Sequence, residues 1–232
     1  MPKPSLIPIR RFAAPDLRQA QETLVHGSTS IIKRCVDTVM SLVLLIILCP
    51  LLLLVWIGVR LDSNGPGIFR QKRVGKDGVE FVILKFRTMI QNAPDLRNPD
   101  NSTLSSDHDR RVTKLGRLLR RTSLDELPQL INVLRGEMSL VGPRPELPEG
   151  PATYLPHQFA RLRVRPGITG WAAVNGRNDL PMHARRDLDA WYAEHWSLWL
   201  DAKVLWRTLV VVLLREGVNC NSESTHKSGV SV

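Results

Sequence analysis

Asp125 and Glu126 stand side by side in the stretch RTSLDELPQLINVLRGEMSLVGPRPE, from Arg121 to Glu146, among the arginines Arg120, Arg121, Arg135 and Arg144. A carboxylate attacks phosphorus when cations neutralise the phosphate oxygens, and carboxylates also hold magnesium together with substrate phosphate. The pattern points to phosphoryl chemistry, with the pair as nucleophile, metal ligand or both. Neighbouring helical residues point about 100° apart, so only one of the two can aim squarely at a given phosphorus. A plainer reading uses the same residues. Ser123 precedes Glu126 at capping-box spacing, and acidic residues favour a first helical turn. Pro128 fits that reading badly, because with Ser123 as cap it falls just past the positions where a missing N–H costs nothing.

The pair is expected to open a helix covering about Asp125 to Leu134, with Leu127, Leu130, Ile131 and Leu134 on one side and Gly136 in a natural C′ position. Ahead of it, Val112, Leu115, Leu118 and Leu119 recur at helical spacing among Arg111, Lys114, Arg117, Arg120 and Arg121. That predicts a basic amphipathic helix from Arg110 to Arg121, suited to anionic lipid or a diphosphate. SNGPG, from Ser63 to Gly67, reads as a turn. The alternating runs IFRQKRVG and VEFVILKFRTM, joined through GKDG, then read as a β-hairpin whose Arg70, Lys72, Lys85 and Arg87 face a phosphate site or simply solvent. Gln91 to Asp109 reads as a loop or lid and RPGITG, Arg165 to Gly170, as a turn. Met182 to Leu214 reads as helical. Trp191, Trp196, Trp199 and Trp206 lie there, rings that suit a headgroup layer, a core or a dimer seam.

A net charge of +10 over 232 residues, from 32 Lys and Arg against 22 Asp and Glu, calls for anionic partners. Aromatic residues do not interleave with a basic sheet and no nucleic-acid motif appears, so nucleic acid is not expected. No His or Cys cluster suggests zinc, and Cys35, Cys49 and Cys220 have no metal or disulfide spacing, which fits a reducing compartment. From Thr38 to Val59 there is no charged residue, enough apolar chain to cross about 30 Å of hydrocarbon. Yet Pro50 sits inside it, Lys33, Arg34 and Arg60 flank both ends, and most basic residues follow it. Proline interrupts a helix, and the positive-inside tendency wants both flanks in the cytoplasm. A re-entrant helix-break-helix is expected, with a kinked spanning helix as the alternative.

KRCVDTVMSLVLLIILCPLLLLVWIGVRLDSNGPGIFRQKRVG, LKFRTM, RVTKLGRLLRRTSLDELPQLINVLRGEMSLVGPRPE, RPGITGWAAVNGRN and DLDAWYAEHWSLWLDAKVLWRT together resemble the bacterial sugar transferases, the monotopic phosphoglycosyl transferases, from about Ile32 to Leu214. The resemblance implies transfer of a sugar 1-phosphate from a UDP-sugar to a polyprenyl (undecaprenyl) phosphate, releasing UMP, as the first membrane step of a surface glycan. It implies Asp125 as the nucleophile of a covalent phosphosugar intermediate and as a Mg2+ contact, with Glu126 its dyad partner. Lys85 and Arg120 would hold phosphate oxygens, and Arg144 of GPRP a donor phosphate. Gly176, Arg177 and Asn178 of NGRN would complete the nucleotide side, and Pro50 would turn the re-entrant helix. Cys49 and Ala173 depart from the family's usual residues at the membrane break and after PGITG. Neither touches the dyad.

The expected chain is thus a membrane-associated α/β protein, mainly α. It comprises an N-terminal arm (1–30), a re-entrant membrane helix (31–60), a cytosolic catalytic domain (61–217) with a small β-hairpin and amphipathic interfacial helices around the active site, and a tail (218–232). It is expected at the bacterial inner membrane, catalytic domain on the cytoplasmic face, with membrane lipid as a partner and with room for a homodimer. Two other readings stay open: the same reaction through a ternary complex, in which the dyad only binds metal and activates the acceptor, and a non-catalytic membrane-anchored scaffold.

Overall fold

The computed structural model describes residues 23–94, 96, 109–176 and 180–214. Most of the expected arm, most of the lid segment, Arg177, Asn178 and the expected tail lie outside them.

Thr23–Asp62 form α1, which contains the charge-free run and starts within the stretch read as the arm. Pro50 lies inside α1 without ending it, so the expected break does not interrupt the helix. A proline removes one backbone bond, whereas a full break among apolar side chains would orphan several N–H and C=O groups at once. Most of the apolar side chains from Ile31 to Leu61 are exposed, Ile46, Ile47 and Leu54 each at 67%.

Both halves of α1 are fastened to the rest of the chain. In the first half, Asp37 accepts Ser139 Oγ at 2.7 Å and the Leu140 N–H at 3.2 Å. Lys33 pairs with Asp201, and the Arg34 guanidinium donates to the Val133 and Leu134 carbonyls. Leu44 and Leu45 pack against a core of Leu130, Leu140, Val141, Tyr192, Leu200 and Val204. In the second half, Leu52, Val55 and Val59 pack with Phe86 and Leu119, while Arg87 closes the helix end through the Val59, Ser63 and Asn64 carbonyls.

The hairpin forms as expected: β1 (Ile68–Val74) pairs antiparallel with β2 (Glu80–Phe86), from Ile68 opposite Phe86 to Val74 opposite Glu80. The outer edge of β2 is covered by a side chain. Asn132 accepts the Leu84 N–H and donates to the Val82 carbonyl, satisfying backbone groups that a bare edge would leave open.

α2 runs over Lys114–Thr122, shorter than the expected helix because Thr113 caps it by accepting the Gly116 N–H. At Gly116 the helix touches the chain after β2, where a Cβ would stand 2.1 Å from the Thr88 carbonyl oxygen. Ser123, with φ of 56°, ends α2. A 3-10 turn, Leu124–Glu126, follows, and α3 begins only at Gln129 and runs to Arg135, closed by left-handed Gly136. The expected single helix from Asp125 is therefore a turn plus a helix. Ser123 makes no side-chain cap, so the capping box does not form. Pro128 accounts for the split: with no N–H to give, it fits immediately ahead of α3.

β3 (Ser139–Val141) pairs in parallel with β4 (Gly167–Thr169), so RPGITG carries a strand where a turn was expected. The close approach needs glycine: a Cβ on Gly170 would stand 2.1 Å from the Gly142 carbonyl oxygen. A 3-10 turn at Pro156–Arg163 precedes β4. α4 (Trp171–Val174), α5 (Met182–His195) and α6 (Leu198–Leu214) complete the described chain. α5 and α6 replace the single helical stretch, parted where Ser197 Oγ accepts the Leu200 N–H and starts a new helix.

Candidate active site

The 3-10 turn places both carboxylates at the junction of α2, α3 and β2, half-buried. Glu126 is the held member of the pair. Its Oε1 accepts Lys85 Nζ from β2 at 3.0 Å and Arg144 Nη2 from the GPRPE turn at 3.0 Å. Burial alone would raise the Glu126 pKa, but Arg144 and Lys85 outweigh it and hold the carboxyl well below the usual carboxylate range. In return Glu126 raises Arg144, while burial pushes Lys85 below an ordinary lysine.

Asp125 is the uncommitted member: no described residue donates it a hydrogen bond. Burial and the neighbouring Glu126 charge push its pKa up to about 6, against the pull of Lys85, Arg144 and Arg120. The two adjacent carboxylates are thus electrically unlike. One is locked and ionised; the other is a basic carboxylate among three cations.

Arg120, from the last turn of α2, is held by its Nε donating to Thr88 Oγ1 at 2.9 Å and acts on Asp125 through its charge. Lys85, Arg120 and Arg144, picked out by the resemblance, therefore do gather at the dyad. Gly176, two residues past α4, has a φ of 127°, and a Cβ there would press on Leu180. Arg177 and Asn178 lie outside the described residues. Pro50 stays on α1. Of the hairpin cations, Arg87 serves the end of α1, Lys72 pairs with Glu80 on the surface, and Lys85 faces the site.

Sequence reasoning missed the charged layer beneath the GPRPE turn. Glu146 accepts from both Arg161 and Arg186, Arg161 reaches Asp189 at 2.7 Å and the Arg144 carbonyl at 2.8 Å, and the Tyr154 hydroxyl closes on Arg161. Arg161 and Arg186 both lie against the Tyr154 ring. Against the cost of burial, Arg161 and Arg186 hold Glu146 below an ordinary glutamate, whereas burial raises Asp189 to about 6. Scattered over Glu146, Tyr154, Arg161, Arg186 and Asp189, these residues have no common spacing that could have flagged them.

Among the described residues no three His, Cys, Asp or Glu side chains come together as a metal cage. The dyad offers the oxygens of Asp125, which accept no hydrogen bond from any described residue, and the second oxygen of Glu126. One or two carboxylates beside substrate phosphate is what magnesium takes, so these residues fit that ion.

Residues 28–215 match the family model described as bacterial sugar transferase. The chain is 40% identical over 212 residues to an undecaprenyl-phosphate galactose phosphotransferase of Salmonella typhimurium, covering 87% of this chain and 44% of that protein. It is 44% identical over 215 residues to an undecaprenyl-phosphate glucose phosphotransferase of Komagataeibacter xylinus, covering 87% and 40%. An uncharacterized sugar transferase of Bacillus subtilis is 42% identical over 195 residues, 84% of this chain and 94% of the relative. The chain thus spans less than half the length of the first two relatives and nearly all of the third.

Proposed function

The chain belongs to the bacterial sugar transferase family, and from that premise we propose that it moves a sugar 1-phosphate from a UDP-sugar to undecaprenyl phosphate, starting a bacterial surface glycan. The observation that carries the reading is the asymmetry of the dyad: a raised, uncommitted Asp125 beside a Glu126 locked by two cations. An oxygen of Asp125 attacks the sugar-bearing phosphorus of the donor. The bond from that phosphorus to the bridging oxygen breaks, and UMP leaves with the electron pair. An oxygen of the polyprenyl phosphate then attacks the same phosphorus, the Asp125–phosphorus bond breaks, and the carboxylate is restored.

Each charged group has work in these steps. A carboxylate with a pKa near 6 is ionised at neutral pH yet more basic than an ordinary aspartate, hence a better nucleophile. Arg120, Lys85 and the exposed side of Arg144 meet phosphate oxygens. Glu126 keeps Lys85 and Arg144 in place and their charges facing the site. Asp125 would hold magnesium together with substrate phosphate, and the ion would supply further neutralisation of the phosphate charge. Gly176, Arg177 and Asn178 serve the nucleotide side in this reading.

The membrane part follows from α1. Its two halves are pinned to one body by Lys33, Arg34 and Asp37 before Pro50 and by Val59 and the helix end after it, while its outward side chains are apolar. A helix fastened along its length to one polar domain supports entry into a single leaflet with both flanks on the cytoplasmic side of the inner membrane. Purified protein in detergent or nanodiscs, given undecaprenyl phosphate, Mg2+ and a panel of UDP-sugars, tests the reaction. UMP release with one donor, absent in Asp125→Asn, is the expected result; release undiminished in that variant overturns the role of Asp125.

A further inference from the structure

We propose that Arg161 is a positioning residue for Arg144, fixing from beneath the GPRPE turn the backbone that carries the Arg144 guanidinium to Glu126. The Arg144 side chain is 60% exposed, so packing does not hold it. Where it ends depends on where its backbone stands.

That backbone is tied down group by group. Arg161 Nη2 donates to the Arg144 carbonyl at 2.8 Å, Arg73 Nη1 to the Pro145 carbonyl at 3.3 Å, and the Val74 N–H to the Glu146 carbonyl at 2.9 Å. Arg161 is the most buried of these, with 3% of its side chain exposed, and is fixed in turn by Glu146, Asp189 and the Tyr154 hydroxyl. A buried ion network contributes little net stability compared with apolar packing of the same volume. What it does supply is a defined geometry, because a planar guanidinium with several donors tolerates few arrangements of its partners. The bond from Arg161 to a main-chain oxygen of the very residue that grips Glu126 turns that geometry onto the dyad. Asp189 and Glu146 hold Arg161; Arg161 holds the turn; the turn delivers Arg144.

The proposal rests on the phosphoryl-transfer reading for its kinetic readout but not for its structural one. Hydrogen–deuterium exchange of the full chain in nanodiscs is compared for wild type, Arg161→Gln, Arg161→Lys and Arg186→Gln. Loss of Arg161 is expected to speed exchange across 139–146 while 129–135 stays protected. Arg186→Gln, which keeps the bond to the Arg144 carbonyl, is expected to leave the turn protected. Should Arg161→Gln fail to fold, Arg161→Lys carries the same comparison, since lysine cannot reach all of the partners at once. Unchanged exchange in the turn, or a uniform rise everywhere, overturns the proposal. Kinetically, Arg161→Gln is expected to lower kcat/KM for the donor by about 10- to 100-fold, as a misplaced binding group does. It should show the same split between KM and kcat as Arg144→Gln, and the double variant should be no worse than Arg144→Gln alone. Losses that multiply in the double variant overturn the coupling. If wild type transfers from no donor, the reaction reading fails by itself and the exchange data alone decide the role of Arg161.

Discussion

Lys85, from the hairpin, and Arg144, from the turn after β3, end on one and the same atom, Oε1 of Glu126, each at 3.0 Å. Two cations on one oxygen leave the neighbouring Asp125 carboxylate without a hydrogen bond of its own among the described residues, yet inside their field. The consequences are specific.

The first is acid sensitivity. Asp125 has its pKa raised to about 6 by burial and by Glu126, so it is protonated, and unable to attack, below that pH. Donor-dependent UMP release is expected to fall as pH drops through about 6, and a pH–rate profile flat from neutrality down to the range of an ordinary aspartate would contradict this.

The same shift has an opposite effect on stability. The native-state pKa lies above the unfolded value of 3.8, so the folded protein binds the proton more tightly and loses stability as pH rises from about 4 to about 6. Asp125→Asn is therefore expected to be more stable than wild type at neutral pH by up to about 3 kcal/mol, with the gain gone below about pH 4. Thermal unfolding in EDTA at both pH values measures it; equal Tm values at neutral pH would count against the raised pKa.

Glu126→Gln removes the charge that repels ionised Asp125 and holds Lys85 and Arg144. The acid limb is expected to move to lower pH while turnover drops by about 10- to 100-fold, because the cations lose their placement. Turnover at the wild-type level would show that the dyad partner is dispensable.

Gly116 lies where α2 meets Thr88, whose hydroxyl orients Arg120. Gly116→Ala is expected to destabilise the protein by about 1–3 kcal/mol through overpacking and to weaken donor turnover through the displaced Arg120. A variant with unaltered Tm and turnover would rule out the tight contact.

The attachment of both halves of α1 to one domain makes a topological statement. In a background lacking Cys35, Cys49 and Cys220, cysteines placed at Ser30 and Ser63 are both expected to react with an impermeant thiol reagent from the cytoplasmic face. Labelling of the two from opposite faces would establish a spanning helix instead.

Much of this was legible in the sequence, for reasons that differ from element to element. The hairpin was, because alternating side chains around GKDG admit little else, and so was Gly136, the left-handed residue that ends α3. The gathering of Lys85, Arg120 and Arg144 at the dyad came from motif resemblance rather than spacing. The single helix expected from Asp125 failed because Pro128 sits where α3 must begin. The strand in RPGITG was hidden because a three-residue parallel pairing depends on β3 and on the close approach of Gly142 and Gly170, which no local pattern encodes. Pro50 suggested a broken helix, but the apolar turns on either side favour continuing one. Long-range charge pairs such as Lys33 with Asp201, or Arg161 with Asp189, leave no local trace at all.

The most direct measurement of the central claim mixes wild-type protein with an active UDP-sugar and Mg2+ while withholding polyprenyl phosphate. One equivalent of UMP is expected in a burst, with the mass of one phosphosugar added to the peptide bearing Asp125, and neither in Asp125→Asn. UMP that appears only once polyprenyl phosphate is present, with no adduct on Asp125, would contradict the covalent mechanism and leave the dyad as a metal and acceptor site.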